Sequence, residues 1–326
     1  MRARAFTAAD AERWDAFCAG AINATFLHTR RFLSYHGERF ADRSLVLEDD
    51  GGRWLGVVPA AADPGDERTV VSHPGLTYGG ALHQGGLRGE AMLEALAAAA
   101  RCWREGSGHR VLRYKAVPRI YHRAPAEDDL YALFRLDAPR VRCDLSSTVD
   151  LAHPLPVSER RRRTLKKALV AGLAVEEGGA ALAAELWPVV EAVLAARHEA
   201  RPVHSLAEME NLIGRFPEAI RVAVARHEKR VVAGTVLFIA GVATHTQYLS
   251  SDETGQALGA LDLVIDAQIR AARERGARWF DFGISNEDQG RTLNHGLHRY
   301  KSEFGAGGTV HEFFELDLER AARLGG

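Results

Sequence analysis

The order of predicted strands and helices in the second half of the chain constrains its fold most strongly. The segment RVAVARHEKRVVAGTVLFIAGVATHTQYLSS alternates short apolar runs with a polar turn at residues 227–230 and a glycine turn at Gly241. This pattern predicts three consecutive antiparallel strands. Apolar residues at helical spacing then predict a helix over GALDLVIDAQIRAARERG that ends at Gly276, and ARWFDFG predicts a short strand. The predicted order is strand, strand, strand, helix, strand.

The first half repeats this order. SLVLEDDGGRWLGVVPAA predicts a hairpin around Asp50, TVVSHPGLTYGGAL a strand and a turn, LRGEAMLEALAAAARCWREG an amphipathic helix, and HRVLRYKAVP a short strand. Matched order over more than a hundred residues indicates duplication. We therefore predict an α/β chain of two tandem domains, residues 1–150 and 151–326, each a mixed, largely antiparallel sheet flanked by helices. The second domain begins with a proline-containing linker and a helix with an N-cap at Ser158 and an end at Gly172.

Composition narrows the classes of partner. The chain has 326 residues and a net charge of −1, so any site for an anion has to be local. No apolar run reaches the roughly 18 residues that a membrane span requires, and the first residues lack the apolar block of a signal peptide. These features predict a cytoplasmic protein without an integral membrane segment.

Several common motifs are absent from the sequence. We find neither a phosphate-binding loop of the type G-x-x-x-x-G-K-[ST], nor a dinucleotide-binding G-x-G-x-x-G turn, nor a G-x-S-x-G nucleophile elbow. His295 and His298 have no third ligand at metal-binding spacing. We therefore predict no metal site and no tightly bound cofactor.

Four segments carry a resemblance to a known family. They are RRRRTLKKALVAGLAVEE, QYLSS, GARWFDFGIS and GLHRYKSEFGAGG. Together with the duplicated order of elements, they resemble the Fem-type aminoacyl transferases, which carry two domains of the GNAT acyltransferase fold. SHPGLTYGGAL and KAVPRIYHRAPAEDDLYALF are similar to a Fem-related bacterial branch associated with cell-envelope or exopolysaccharide genes.

The resemblance implies transfer of an acyl group to an amine. The Fem branch uses aminoacyl-tRNA as donor and a peptidoglycan precursor as acceptor, whereas other GNAT proteins use acyl-CoA. Lys301 and Tyr300 match the family's aromatic and lysine pair, in which the lysine stabilises the transition state, and Tyr248 matches a tyrosine that lines the acceptor site. The family's arginine and tyrosine four residues apart are not matched, and RPVHSLAEM, which includes His204, stands near that place.

The chemistry of aminolysis supports a role for Lys301. Attack on an ester or thioester forms a tetrahedral oxyanion, which a cation in a water-poor site stabilises well. Four glycines in GLHRYKSEFGAGG would let the backbone approach a bulky donor closely. The amine's proton needs an acceptor, and Asp281 and Glu303 are the candidates, with Tyr248 as a relay.

Six cations crowd the first turns of the helix that follows Ser158, at Arg160, Arg161, Arg162, Arg163, Lys166 and Lys167. Cations are unfavourable at a helix N-terminus, and bound phosphate from tRNA, CoA or a nucleotide-sugar would resolve the conflict. The alternative is a solvated basic face that acidic residues elsewhere compensate.

The donor is predicted from a second loop. GNAT proteins that bind acyl-CoA carry Arg or Gln, then glycine three residues on, then Gly or Ala two further. Gln256 and Gly259 match this loop, but Leu261 fills the last position and hinders the approach of a pyrophosphate. Aminoacyl-tRNA is therefore the predicted co-substrate, and acyl-CoA is the alternative.

The acceptor is assigned to residues of the first domain and to His204. Arg31, Tyr35, His73, Tyr78 and Lys115 are predicted to line an acceptor cleft at the domain junction. The first hypothesis is an aminoacyl-tRNA-dependent transferase acting on an envelope precursor or a small amine. The others are an N-acyltransferase that uses CoA or a carrier protein, and a non-catalytic binding protein.

Overall fold

The computed structural model describes residues 1–198 and 201–323. Contacts divide the chain into two compact units. The first unit comprises Met1–Asp144, Asn286–Thr292 and the C-terminal segment from Val310, and the second comprises Leu145–Ser285 and Leu293–Thr309.

The helices and strands are numbered in chain order. The helices are α1 Ala11–Gly20, α2 Arg30–Leu33, α3 Glu90–Ser107, α4 Asp128–Arg135, α5 Glu159–Val170, α6 Ala180–His198, α7 Leu206–Arg215, α8 Glu253–Leu258, α9 Ala260–Glu274, α10 His295–Ser302 and α11 Leu318–Arg323. The strands are β1 Arg2–Ala5, β2 Leu45–Glu48, β3 Trp54–Val58, β4 Ala61–Asp63, β5 Asp66–Val71, β6 Leu82–His83, β7 Val111–Lys115, β8 Arg140–Asp150, β9 Ala174–Gly178, β10 Ile220–His227, β11 Arg230–Ala240, β12 Ala243–Ser251, β13 Trp279–Ile284, β14 Asn286–Glu287, β15 Thr292–Leu293 and β16 Gly307–Asp317.

The first unit contains two groups of paired strands. One has the order β1-β2-β3-β6, with antiparallel neighbours throughout. The other has the order β4-β5-β7-β16, in which only the β5 and β7 pair is parallel. Helix α3 supplies Leu96 and Trp103 to a core that also contains Leu47 of β2 and Leu316 of β16. The predicted hairpin around Asp50 is formed by β2 and β3.

The second unit is built on one mixed set of strands in the order β8-β13-β12-β11-β10-β9. Strands β12 and β13 are parallel, and the other neighbours are antiparallel. The predicted meander is therefore β10, β11 and β12. Helix α9 follows it, and the parallel strand β13 returns beside β12 after that helix, as a crossover connection allows.

Helices cover both faces of the strands in the second unit. Ala233 of β11 packs in a core with Val264 of α9 and Ala168 of α5. The next residue of β11, Gly234, lies under Leu186 of α6, where a Cβ atom would come within 2.8 Å of that side chain. Because successive strand residues point to opposite faces, α9 and α6 lie on opposite sides of the strands.

The element order agrees with the tandem α/β prediction, but the division of the chain differs in detail from 1–150 and 151–326. The C-terminal part of β16 belongs to the first unit, where Phe313 pairs with Lys115 of β7. Pairing between residues this far apart in the chain leaves no local signal, so the sequence predicted a contiguous second domain instead.

Candidate active site

Lys301 is buried within the second unit. It lies on α10, which begins after Asn294, whose side chain accepts a hydrogen bond from the backbone N–H of Leu297. The Lys301 side chain is 4% exposed, and its Nζ donates hydrogen bonds to the carbonyl oxygens of Gly283 and Ile284, at 3.0 and 2.7 Å. The ammonium is therefore held at the end of β13 and does not extend into solvent.

The environment of Lys301 lowers the pKa of its ammonium group. Burial lowers the pKa of Lys301 to about 8, and the negative charge of Asp281 opposes part of this shift. A lysine with this pKa is still largely charged near neutral pH, so it can stabilise negative charge in a place from which water is mostly excluded.

Tyr300 and the basic helix α5 both contact the Asp262 carboxylate, and α5 also contacts that of Glu303. The Tyr300 hydroxyl donates to Oδ1 of Asp262 at 3.0 Å, and Arg161 forms an ion pair with Asp262 and a second, at 2.9 Å, with Glu303. Arg160 also pairs with Glu303. These two arginines are thus compensated by acids of α9 and the α10 end, which was the alternative considered for the basic helix.

The other cations of α5 face solvent. Arg162, Arg163, Lys166 and Lys167 are exposed, and Arg162 pairs with Glu159 of the same helix. The Ser158 hydroxyl accepts a hydrogen bond from the backbone of Arg161, as expected of an N-cap. Arg160 is exposed as well but is paired with Glu303, so Arg161 is the one buried cation among the six predicted on α5.

The start of α9 is closed by α5. Gly259 has a φ of +77°, and a Cβ at this position would lie 2.4 Å from the methyl carbon of Thr164 on α5. Asp262 places a buried carboxylate in the first turn of α9, where the helix dipole favours negative charge. Gln256 is exposed on α8, and its side chain donates to the Ser251 carbonyl at 2.9 Å.

Asp281 lies at the centre of a polar group on three adjacent strands. It is fully buried on β13, and its Oδ1 accepts hydrogen bonds from Ser146 and Thr148 of β8, the second at 2.9 Å. Its Oδ2 lies 2.7 Å from Nδ1 of His245 on β12. The Asp281 carboxylate therefore binds the imidazole of His245 and the hydroxyls of Ser146 and Thr148.

Tyr248 and His204 are in contact. The Tyr248 hydroxyl is 2.9 Å from Nδ1 of His204 and accepts a hydrogen bond from the His204 backbone N–H at 3.2 Å. The ring centroids of Tyr248 and Trp187 are 5.4 Å apart. Burial raises the pKa of Tyr248, so its hydroxyl keeps its proton.

The acceptor candidates of the first unit differ in exposure. Arg31 is exposed on α2, Tyr35 is partly buried, and His73, Tyr78 and Lys115 are buried. The Lys115 ammonium donates hydrogen bonds to the carbonyl oxygens of His73, at 3.2 Å, and of Leu76. Burial, with a contribution from Arg142, lowers the pKa of Lys115 to about 7. Their predicted role in an acceptor cleft stays a prediction.

A glycine of GLHRYKSEFGAGG packs against the protein's own backbone. Gly305 has a φ of +87°, and a Cβ there would lie 2.4 Å from the Leu155 carbonyl oxygen. The Leu155 N–H donates to the Gly305 carbonyl at 3.1 Å. The close approach that the sequence assigned to a donor is made here by the segment before α5.

Sequence reasoning identified Asp281 but missed its partners. His245 and Thr148 are the direct cross-strand neighbours of Asp281 on β12 and β8. Both lie among other polar residues, in SSTVD of β8 and ATHTQ of β12, so neither stands out in the sequence. Only the strand register brings these residues together, because they come from three separate parts of the chain.

Within residues 1–198 and 201–323, no group of three or more His, Cys, Asp or Glu side chains is arranged to hold a metal ion. Among the helices of these same residues, none combines the length and the apolar character that crossing a membrane requires.

Residues 158–302 match the family model described as an acetyltransferase (GNAT) domain. No curated protein matches the chain. The fold is similar to the crystal structure of FemX, with a TM-score of 0.71, 14% identity, and coverage of 99% of both chains.

Two other solved structures are similar over most of the chain. L-PGS from Bacillus licheniformis has a TM-score of 0.60 and 12% identity, with 97% of each chain covered. A tandem GNAT protein from the clavulanic acid biosynthesis pathway has a TM-score of 0.52 and 16% identity, covering 97% of this chain and 98% of its own. At these identities the structural matches establish the fold. The match over residues 158–302 supports an acyltransferase, and the whole chain has the fold of FemX, as the sequence resemblance predicted.

Proposed function

We propose that this acyltransferase moves an aminoacyl group from aminoacyl-tRNA to an amine. The amine attacks the carbonyl carbon of the ester that joins the amino acid to the tRNA ribose. A carbon–nitrogen bond forms, the carbon–oxygen bond to the ribose breaks, and the ribose hydroxyl leaves. The acceptor is a cell-envelope precursor, as in peptidoglycan or exopolysaccharide synthesis, or a small molecule.

The observation that carries the choice of donor is the closed start of α9. A CoA pyrophosphate needs free backbone amides at such a helix start. Here Thr164 lies directly against Gly259, and Asp262 already supplies the negative charge that the helix dipole attracts. Leu261 adds a side chain at the position where the CoA loop has Gly or Ala. These features favour a donor that binds elsewhere.

Lys301 is assigned to the oxyanion. Its ammonium is buried, fixed by two carbonyl oxygens, and needs no reorganisation when charge develops nearby. Tyr300 holds the same helix in place through Asp262. Tyr248 and His204 form a polar pair that we assign to the acceptor amine. Within the first unit, the candidates for acceptor binding remain Arg31, Tyr35, His73, Tyr78 and Lys115.

The exposed cations of α5 are assigned to the tRNA backbone. Arg162, Arg163, Lys166 and Lys167 are exposed on a helix whose Arg160 and Arg161 are already paired with Glu303. Exposed cations attract phosphates without reading base sequence. Aminoacyl-tRNA is a co-substrate in this scheme, no tightly bound cofactor is required, and the reaction takes place in the cytoplasm, where charged tRNA is available.

A second candidate donor is acyl-CoA or an acyl carrier protein. It is favoured by the match of residues 158–302 to a domain named for acetyl transfer. Lys301 would stabilise the oxyanion of a thioester in the same way as that of an ester, so the two donors differ in their binding sites and not in this step.

A transfer assay tests the proposal. The protein is incubated with tRNA charged with radiolabelled amino acids and with a bacterial small-molecule extract, and in parallel with labelled acetyl-CoA. We expect label to move from tRNA into a product that survives mild base, because an amide resists conditions that hydrolyse the tRNA ester. Label transfer from acetyl-CoA alone would overturn the proposed donor.

Matched variants on α10 complete the assay. Lys301→Met removes the buried cation and is expected to reduce transfer by about 100-fold or more, the usual cost of losing an oxyanion-stabilising group. Arg299→Met removes a cation of the same helix whose side chain is 70% exposed, and it is expected to leave transfer unchanged. Equal activity of the two variants would remove Lys301 from the mechanism.

A further inference from the structure

The His245 and Asp281 pair has the geometry of an oriented base. His245 on β12 and Asp281 on β13 are direct neighbours in the parallel register. Nδ1 of the imidazole lies 2.7 Å from Oδ2 of Asp281. A carboxylate accepts hydrogen bonds only, so the contact places the ring hydrogen on Nδ1 and leaves Nε2 as the acceptor nitrogen of the neutral ring.

Asp281 is itself held firmly. Its side chain is fully buried, and Ser146 and Thr148 donate hydrogen bonds to the oxygen that does not face His245. Both hydroxyls come from β8, on the far side of β13 from β12. The carboxylate therefore cannot rotate without losing two hydrogen bonds, and it fixes the orientation of the imidazole.

The His245 imidazole and the Lys301 ammonium both lie against Gly283. Gly283 has a φ of +73°, and a Cβ there would lie 3.1 Å from Cε1 and 3.8 Å from Nε2 of His245. The Gly283 carbonyl oxygen accepts the hydrogen bond from Lys301 Nζ at 3.0 Å. The Cε1–Nε2 edge of the ring thus lies over the residue that positions the proposed oxyanion cation.

His245 is partly accessible, whereas Asp281 is not. The His245 side chain is 13% exposed, and that of Asp281 is 0% exposed. A buried carboxylate with both oxygens engaged is poorly placed to receive a proton from substrate. An imidazole that is held by that carboxylate and is partly exposed is better placed to do so.

We propose that His245 is the general base of the transfer reaction and that Asp281 is its positioning residue. The inference rests on the proposed function. As the amine nitrogen bonds to the carbonyl carbon, one of its protons passes to Nε2 of His245. The same proton then passes from Nε2 to the ribose oxygen as the carbon–oxygen bond breaks. The imidazole ends the cycle neutral, and neither an oxidant nor a metal is needed.

The tautomer of His245 gives a test that does not depend on activity. In protein labelled with nitrogen-15 in histidine, the His245 ring is assigned by comparison with His245→Gln. At pH 8 we expect the ring hydrogen on Nδ1 and none on Nε2. Asp281→Asn, whose amide can donate to Nδ1, is expected to move the hydrogen to Nε2. A wild-type ring with the hydrogen on Nε2 would overturn the assignment.

A comparison of two nucleophiles tests the proton transfer. Methylamine and hydroxylamine are offered as acceptors of label from aminoacyl-tRNA. Methylamine is protonated near neutral pH and needs a base, whereas hydroxylamine is uncharged. We expect His245→Gln to slow transfer to methylamine by about 100-fold and transfer to hydroxylamine far less.

The outcomes separate the two proposals. Equal losses with both nucleophiles would mean that His245 has a structural role and would overturn its assignment as a base. If the wild-type protein transfers label to neither nucleophile, the proposed donor fails, and the tautomer measurement alone then decides the assignment of His245.

Discussion

The hydroxyl of Tyr300 donates a hydrogen bond to the buried carboxylate of Asp262, 3.0 Å away. This bond joins α10, which carries Lys301, to the first turn of α9. Arg161 of α5 binds the same carboxylate. The predicted catalytic tyrosine is therefore part of the connection that keeps three helices, and with them the buried ammonium, in register.

Tyr300→Phe is expected to destabilise the protein. It leaves one oxygen of Asp262 without its donor, and burial already raises the pKa of this carboxyl group. Loss of a hydrogen bond to a buried charged group costs about 1–3 kcal/mol. Chemical denaturation measures the change in the free energy of unfolding.

Tyr131→Phe is the control for this prediction. The Tyr131 side chain is exposed on α4, and its hydroxyl accepts a hydrogen bond from Arg135. Its loss is expected to change stability by less than about 0.5 kcal/mol. Similar losses of unfolding free energy for the two substitutions would show that the Tyr300 hydroxyl contributes no more to stability than an exposed hydroxyl does.

Lys301→Met is expected to change how stability depends on pH. The pKa of Lys301 is lowered from 10.5 to about 8 in the folded protein. Between these values the unfolded chain binds more protons than the folded chain, so the stability of the wild-type protein rises with pH. The methionine variant lacks this contribution. The difference in unfolding free energy, wild type minus variant, should therefore increase from pH 7.5 to pH 10.

Arg299→Met provides the matched comparison, because Arg299 is exposed on the same helix. Its difference from wild type should stay constant over this range of pH. A constant difference for Lys301→Met as well would contradict the lowered pKa of the buried lysine.

Gly305→Ala is expected to destabilise the second unit strongly. Gly305 has a φ of +87°, and the added Cβ would lie 2.4 Å from the Leu155 carbonyl oxygen. The left-handed conformation alone costs an alanine about 1–2 kcal/mol. The collision with backbone adds to this cost, since neither segment can move without breaking their hydrogen bond.

Gly276→Ala measures the cost of the left-handed conformation without the collision. Gly276 has a φ of +80° and no atom within 4 Å of the position of a Cβ. We expect a smaller loss in melting temperature for this variant than for Gly305→Ala. Equal losses would indicate that the segment around Leu155 shifts freely.

The exposed cations of α5 are expected to govern binding of tRNA. Replacing Arg162, Arg163, Lys166 and Lys167 together with alanine should weaken binding and make it less sensitive to salt, because fewer counterions are released. Filter binding of charged tRNA at several salt concentrations measures both effects. If the salt dependence of tRNA binding is unchanged, α5 is not part of the tRNA-binding site.

Arg13, Arg53, Arg68 and Arg104 form a control set of exposed cations in the first unit. Replacing these four with alanine changes the net charge by the same amount. We expect a much smaller loss of tRNA binding, because only the charges near the bound phosphates contribute fully at moderate salt.

The sequence was sufficient for the order of elements and for the family resemblance. The strands β10 to β12, helix α9 and strand β13 all follow from local patterns of apolar residues and from glycines at turns. Lys301 was identified through the motif around it, and the structure places it in a buried position, as a cation in a water-poor site requires. Such features depend on neighbours along the chain and can be predicted from it.

Tertiary structure decided which charged residues act together. The sequence presented six cations on α5 as one group, but Arg161 is buried against Asp262 and Glu303, and Arg160, although exposed, also pairs with Glu303. Likewise Asp281 was visible as a single acid in a strand, whereas its imidazole partner and its two hydroxyl donors come from β12 and β8. Pairing between strands and the burial of side chains set these contacts, and both depend on residues far apart in the chain. Local sequence therefore predicted which groups are present, and long-range packing determined which of them share a proton or a charge.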